Sequence, residues 1–149
     1  MRTVEWDAAT NSVKMIDQRL LPGELKIVHY SEPQLVAEAI RDMVVRGAPA
    51  IGATAAFGMA LAAQRSKAKT LATLQADLAQ AAQMLEAARP TAVNLVWALK
   101  RMLDAVEKAS GSPDELRSTV LTLAQFIADE DVAINKRMAA HGAELIDDG

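Results

Sequence analysis

Residues 46–52 read RGAPAIG, and they connect two apolar helix patterns with hardly any intervening chain. The first pattern ends at Arg46, and the second begins at about Pro49. Gly47 can adopt the left-handed backbone conformation that ends a helix. Pro49 suits the first position of the next helix, because its missing N–H group would have no partner there. The stretch therefore predicts a tight corner between two helices, with the other predicted helices following along the chain.

This corner also predicts an anion site. The free N–H groups at the start of the second helix lie beside the guanidinium of Arg46, and this combination favours phosphate or carboxylate. Residues 89–91, RPT, repeat the arrangement, because Arg89 ends one helix just before another begins. Since antiparallel neighbours alternate in direction, both corners can lie at one end of a bundle. The alternative, which the residues alone leave open, is two unrelated solvent-exposed arginines.

The composition places the chain among globular domains. Its 149 residues are 51% hydrophobic and 23% charged, so it can bury a core. Aromatic residues make up only 3%, which predicts an aliphatic core with close helix packing. The net charge of −3, without a basic run, argues against a nucleic-acid partner. No membrane span or signal peptide is predicted, and we expect a cytoplasmic location.

The chain contains no cysteine, which excludes disulfides, thiolate metal ligands and a cysteine nucleophile within it. The two histidines, His29 and His141, are far apart and form no metal-ligand spacing. We therefore expect no metal site.

Residues 1–30 are predicted to form a small antiparallel β-meander. Three alternating segments, at residues 3–6, 12–16 and 25–30, are separated by Asx-rich and Pro-Gly turns. So small a sheet is not stable alone and must pack on helices. The predicted fold class is therefore α+β, with the meander followed by a helical bundle.

Residues 31–149 are predicted to form that bundle, of about five helices joined by short loops. Ser31 and Gln34 resemble a capping box for the first helix. The second, from about Pro49 to Gln64, is apolar nearly all round and rich in small residues, so it should lie in the middle. Further helices are predicted from about Thr70 to Ala88, after a Thr91 cap, and from Ser112-Pro113-Asp114-Glu115 to about Gly142.

Other polar and aromatic residues have ordinary structural interpretations. The carboxylates of residues 129–131 point to several helix faces and are expected to be solvated. Residues 17–19, DQR, follow a strand and predict a turn or a salt bridge. Trp6 and Trp97 are predicted to lie in the core.

Four segments together resemble one family. They are VEW at 4–6, IDQRLLP at 16–22, AIRDMVVRGAPAIG at 39–52 and RPTAVNL at 89–95. They are similar to the N-terminal part of methylthioribose-1-phosphate isomerase, whose superfamily includes regulatory subunits of translation initiation factor 2B. The resemblance implies an aldose–ketose isomerase of methionine salvage that converts 5-methylthioribose 1-phosphate to 5-methylthioribulose 1-phosphate without a cofactor. It also implies a second, Rossmann-like C-terminal domain and a homodimer.

The resemblance implies that Arg46, Gly47, Ala48 and Arg89 hold the substrate phosphate. The family's catalytic cysteine and aspartate belong to the C-terminal domain, and this chain stops at Gly149. We therefore expect a substrate-clamping domain that is inactive alone, with no catalytic residue assigned within it. A regulatory module like the initiation factor subunits and a ribose-1,5-bisphosphate isomerase are the alternatives. The DQRLLP run favours the methylthioribose branch.

Overall fold

The computed structural model describes residues 2–146. Its N-terminal segment is a three-stranded antiparallel sheet. Its strands are β1 (Val4–Asp7), β2 (Ser12–Ile16) and β3 (Ile27–Tyr30), in the order β1-β2-β3. Both pairs are antiparallel, with Val4 opposite Met15 and Val13 opposite Tyr30. The inward residues of β2, Val13 and Met15, are fully buried, as the period-two alternation requires. The predicted meander is confirmed, and the predicted outer limits at residues 1 and 149 lie outside the described residues.

Five helices follow, as predicted. They are α1 (Pro33–Arg41), α2 (Ala48–Arg65), α3 (Leu71–Ala88), α4 (Val93–Glu107) and α5 (Pro113–Ala143). Within residues 2–146, none of these helices has both the length and the hydropathy to cross a bilayer.

Helix α2 is the centre of the bundle. It packs against the four other helices and against β1 and β2, and 13 of its 18 residues are buried. Its small residues permit this packing: a Cβ added to Gly58 would lie 2.9 Å from a methyl carbon of Leu85 on α3. The prediction of a central, all-apolar helix is therefore confirmed.

Helix α1 departs from the prediction at both ends. It ends at Arg41 and not at Arg46, because Met43 takes a positive φ of 57° and stops the helix. The Val44 N–H then donates to the Ala39 carbonyl and the Met43 N–H to the Ile40 carbonyl, which is a Schellman ending.

At the start of α1, the predicted Ser31 cap is wrong. Glu32 is the N-cap residue, without a side-chain capping bond, and Pro33 begins the helix. The fixed φ and the missing N–H of Pro33 suit the first helical position, which moves the start one residue along.

Helix α5 begins as predicted, with a complete capping box between Ser112 and Glu115. It runs antiparallel to α2, and its Arg117 guanidinium donates to the carbonyl of Ala63 in the last turn of α2 and to those of Ser66 and Ala68 just after that helix. These carbonyls have no partner within α2, so Arg117 closes that helix end. From residue 133 to residue 146 every side chain is exposed.

Candidate functional site

The corner before α2 has the backbone geometry of an anion site. Gly47, with φ of 92°, is the N-cap residue, so it serves the start of α2 rather than the end of α1. The Ile51 N–H donates to the Gly47 carbonyl at 3.0 Å. Ala48 comes first in the helix and Pro49 second, one position later than predicted. The N–H groups of Ala48 and Ala50 have no acceptor within the helix, and they form its positive end.

Arg46 lies just outside this helix end, with its side chain exposed. Its backbone N–H donates to the side-chain oxygen of Gln18. The Gln18 backbone N–H in turn donates to the Val44 carbonyl at 2.9 Å. Gln18 thus joins the segment after β2 to the chain just before the corner, a contact that sequence reasoning missed.

The residues beside Gln18 form the salt bridge that the sequence predicted as one possibility. The Arg19 guanidinium donates to both carboxylate oxygens of Asp17, at 2.9 and 2.7 Å. Asp17 is only 4% exposed, and these bonds hold the pKa of its carboxyl below the ordinary value.

The second corner is formed by residues 89–92. Arg89 is half-buried and follows the last residue of α3, and its carbonyl accepts a hydrogen bond from the Ala92 N–H at 3.0 Å. This turn makes Ala92 the N-cap residue of α4, so the predicted Thr91 cap is wrong. No side chain caps the helix, and its first N–H groups are available to an added acceptor.

The N-terminal turns of α2 and α4 are in direct contact. A Cβ built on Gly52 would lie 2.9 Å from the carbonyl oxygen of Asn94 and 3.6 Å from Cβ of Ala98. A cavity of about 380 Å³ adjoins this contact. It is lined by Pro49, Gly52, Val93, Asn94, Trp97, Ile127, Glu130, Asp131 and Ile134. The structure therefore brings two positive helix ends together, whereas a common ligand for Arg46 and Arg89 remains a prediction.

Trp97 lies on the wall of this cavity and not in the core, so its predicted placement is wrong. Its side chain is 50% exposed, and the Arg101 guanidinium lies 5.3 Å from its ring centre. Phe126 faces the same guanidinium at 5.3 Å, and Glu130 pairs with it at 2.5 Å. Trp97 falls outside the apolar stripe of α4, and that periodicity was the available signal. Trp6, by contrast, packs against Phe57 as expected.

The carboxylates of residues 129–131 diverge, as predicted. Asp129 pairs with Arg2 at 2.5 Å, and Glu130 pairs with Arg101. Asp131 accepts a hydrogen bond from Asn135 at 2.9 Å and faces the cavity. The three groups therefore do not form one acidic site.

His29 has a polar partner that could not be seen in the sequence. Its Nδ1 lies 3.2 Å from the Ser12 hydroxyl and 3.4 Å from a carboxylate oxygen of Asp7. Thr10 also donates to Asp7, and this bond lowers the pKa of the Asp7 carboxyl. These contacts join the β1–β2 turn to β3.

Comparison with known proteins places this arrangement in a family. The model of the initiation factor 2 subunit family matches residues 44–149, which include both corners. The chain belongs to the initiation factor 2 subunit family. A methylthioribose-1-phosphate isomerase from Herpetosiphon aurantiacus is 49% identical over 147 residues, covering 98% of this chain and 41% of that relative.

Two solved structures of relatives superpose closely on the chain. A crystal structure of 5-methylthioribose 1-phosphate isomerase from Pyrococcus horikoshii has a TM-score of 0.93 at 48% identity, covering 99% of this chain and 41% of its own. A structure described as translation initiation factor eIF-2B, subunit delta, from A. fulgidus has a TM-score of 0.91 at 39% identity, with 100% and 43% covered. The resemblance drawn from the motifs is confirmed, and the chain spans about two fifths of the length of the relatives it matches.

Proposed function

We propose that this chain is the substrate-clamping part of an aldose–ketose isomerase that acts on 5-methylthioribose 1-phosphate. In this proposal Arg46, Gly47, Ala48 and Arg89 bind the phosphate of the sugar. The observation that carries it is the contact between the N-terminal turns of α2 and α4. Helix α2 begins two residues after Arg46, and α4 begins four residues after Arg89. The names of the relatives in sequence and structure support the choice of substrate.

The charges of the two corners match a phosphate group. A helix N-terminus carries roughly half a positive charge, and each guanidinium carries a full one. Two of each carry about three positive charges, which is more than enough to offset the charge of about −1.5 to −2 on a phosphate monoester at neutral pH. The first turn of α2 adds the N–H groups of Ala48 and Ala50 as direct donors.

The chemical step needs groups that the phosphate corners do not provide. Aldose–ketose isomerisation requires an acid–base pair or a hydride path beside the reacting carbons. We assign these groups to the larger remaining part of the relatives' length, as a Rossmann-like C-terminal domain in a cytoplasmic homodimer. Residues 1–30 and 31–149 would together be the N-terminal domain, and the isolated chain would be inactive.

An exposed apolar face supports such a neighbour. Val93 and Trp97 of α4 lie beside the cavity, and Ile134 and Met138 continue the face along α5. Contiguous apolar patches of this kind mark interaction surfaces.

The experiment is calorimetric titration of 5-methylthioribose 1-phosphate into the chain and into Arg46→Ala. We expect Arg46→Ala to weaken binding by about 1.5–3 kcal/mol, the scale of a hydrogen bond to a charged group, or roughly 10-fold to 150-fold. Arg46→Lys should also bind more weakly, because a point charge cannot reproduce the planar fork. The matched control is Arg137→Ala, at an exposed position on α5. Equal affinity in Arg46→Ala would remove Arg46 from the site, and turnover by the chain alone would refute its inactivity.

A second candidate is a regulatory module of the initiation factor type. It is favoured by the close superposition on the subunit delta structure. Absence of phosphosugar binding, with retained binding to an initiation factor partner, would select it. Competition by ribose 1,5-bisphosphate at equal or higher affinity would instead favour the related bisphosphate isomerase.

A further inference from the structure

The chain between α1 and α2 depends on one residue of the segment after β2, Gln18, for part of its backbone hydrogen bonding. At its start, the Schellman ending satisfies the Ala39 and Ile40 carbonyls. At its end, the Gly47 carbonyl accepts the first bond of α2. Between these points, Gln18 provides both the donor to Val44 and the acceptor for the Arg46 N–H. Residues 44–46 are thus held from outside the helices.

Gln18 is itself held firmly. Asp17 donates its backbone N–H to the Lys26 carbonyl at 2.9 Å and accepts the Leu20 N–H at 3.3 Å. Its buried carboxylate accepts hydrogen bonds from Nε and Nη2 of the Arg19 guanidinium. A short, doubly braced segment therefore presents Gln18 to the corner, and little freedom remains to be lost when the contact forms.

We infer that Gln18 is a positioning residue: it fixes the backbone orientation of Arg46 and Gly47, and so the direction in which their donors point towards a bound anion. This inference rests on the proposed function of that corner. The side-chain oxygen accepts the Arg46 N–H and fixes the peptide plane between Val45 and Arg46, one residue before Gly47. The donors left for an anion are then the Arg46 guanidinium and the N–H groups at the start of α2. The buried side chains of Val44 and Val45 anchor the same segment from the core side, so Gln18 acts on orientation more than on folding.

The test compares Gln18→Leu, which removes the acceptor at similar size, with Gln18→Glu, which keeps an acceptor oxygen. Gln83→Leu, at an exposed position on α3, is the matched control. Amide hydrogen exchange by NMR reads out the contact directly, and titration with inorganic phosphate reads out the site. Unfolding in urea checks that all variants are folded.

We expect the Arg46 amide of Gln18→Leu to exchange at least about 10-fold faster, while the core amides of Val13 and Met15 are unchanged. Phosphate affinity should fall about 2-fold to 10-fold, the measure of one lost hydrogen bond. Gln18→Glu should restore the protection of the Arg46 amide. If Gln18 had only a general structural role, Gln18→Leu would also speed the exchange of core amides, and Gln18→Glu would not restore the protection of the Arg46 amide.

The outcomes separate the two proposals. The positioning role would be overturned if Gln18→Leu left the exchange rate of the Arg46 amide and the NMR resonances of Gly47 unchanged, whatever its phosphate affinity. Weaker phosphate binding in Arg46→Ala but not in Gln18→Leu would also overturn it, and would leave the proposed site intact. A third outcome combines faster exchange of the Arg46 amide in Gln18→Leu with a phosphate affinity of Arg46→Ala equal to that of the wild type. It would support the positioning contact and refute the phosphate site.

Discussion

Replacing Gly52 by alanine tests the contact on which the candidate site depends. The added Cβ would lie 2.9 Å from the Asn94 carbonyl oxygen and 3.4 Å from its carbonyl carbon. Both atoms belong to the backbone of α4, so no side-chain rotation can make room. The two helices must therefore separate by about 0.5 Å to reach ordinary van der Waals distance.

Two opposing effects determine the change in the free energy of unfolding. Alanine is favoured over glycine in a helix interior by about 1 kcal/mol. Overpacking of a well-packed interior costs typically about 1–3 kcal/mol, and a clash with a backbone belongs at the upper end of that range. We therefore expect Gly52→Ala to be destabilised by about 1–2 kcal/mol, which lowers Tm by roughly 2–8 °C at this chain length.

Urea unfolding followed by circular dichroism measures the effect as a lower midpoint with an unchanged slope. The matched control is Gly142→Ala on α5, where an added Cβ has no neighbour within 4 Å. That variant should be slightly stabilised, by less than about 1 kcal/mol. A Gly52→Ala protein as stable as the wild type would refute the close approach of α2 and α4, and would remove the main support for a shared site.

Three further variants test other parts of the structure. Met43→Gly should raise the free energy of unfolding by up to about 1 kcal/mol in urea, because glycine adopts a φ of 57° without strain. Arg117→Met should lower it by about 2 kcal/mol, since three carbonyls in the last turn of α2 and the segment after it lose a charged donor. Asp17→Asn should be less stable than the wild type at pH 7. Because Arg19 lowers the pKa of the Asp17 carboxyl in the folded state, this stabilisation is fully present above about pH 4 and is lost as the pH falls further. Urea unfolding of both proteins between pH 7 and 2.5 should show the difference shrinking, and a constant difference would refute the ion pair's role.

Periodicity and turn chemistry predicted the order of elements because those signals are local. The alternation of Val13 and Met15 identified a strand with one buried face. The residues 112–115 carried a complete start signal, and the structure has the capping box they imply. The residues of α2 are apolar on every face, and this pattern predicts the central helix because no face of it could be left in water.

Errors arose where the local signal had a competitor. The pattern predicts a first helix as far as Arg46 because Gly is the usual residue for a left-handed cap, whereas Met43 takes that conformation four residues earlier. Ser31 is predicted to be a cap because a Ser followed three residues later by Gln fits the capping pattern, whereas Pro33 fixes the start of the helix. In both cases the burial of Val44 and Pro33 against the core is a tertiary constraint that no short window contains.

The candidate site was predictable in its parts and not in its assembly. Residues 16–22 and 39–52 were both identified as motifs, but the bond from the Arg46 N–H to Gln18 spans 28 residues of sequence. The approach of Gly52 to Asn94 likewise spans two loops and a helix. The small residues of α2 predict a central helix with close neighbours, but they do not identify Asn94 as the neighbour of Gly52.

The contact between α2 and α4 gives the proposed phosphate site an electrostatic basis. Two helix N-termini carry like partial charges, so placing them side by side is unfavourable unless negative charge lies nearby. The carboxylates in the adjoining cavity compensate only in part, because Glu130 is already paired with Arg101. Asp131 then remains in the cavity beside the first turns of the two helices. A dianionic ligand would balance this excess, and its binding free energy would include the relief of the repulsion between the two helix ends.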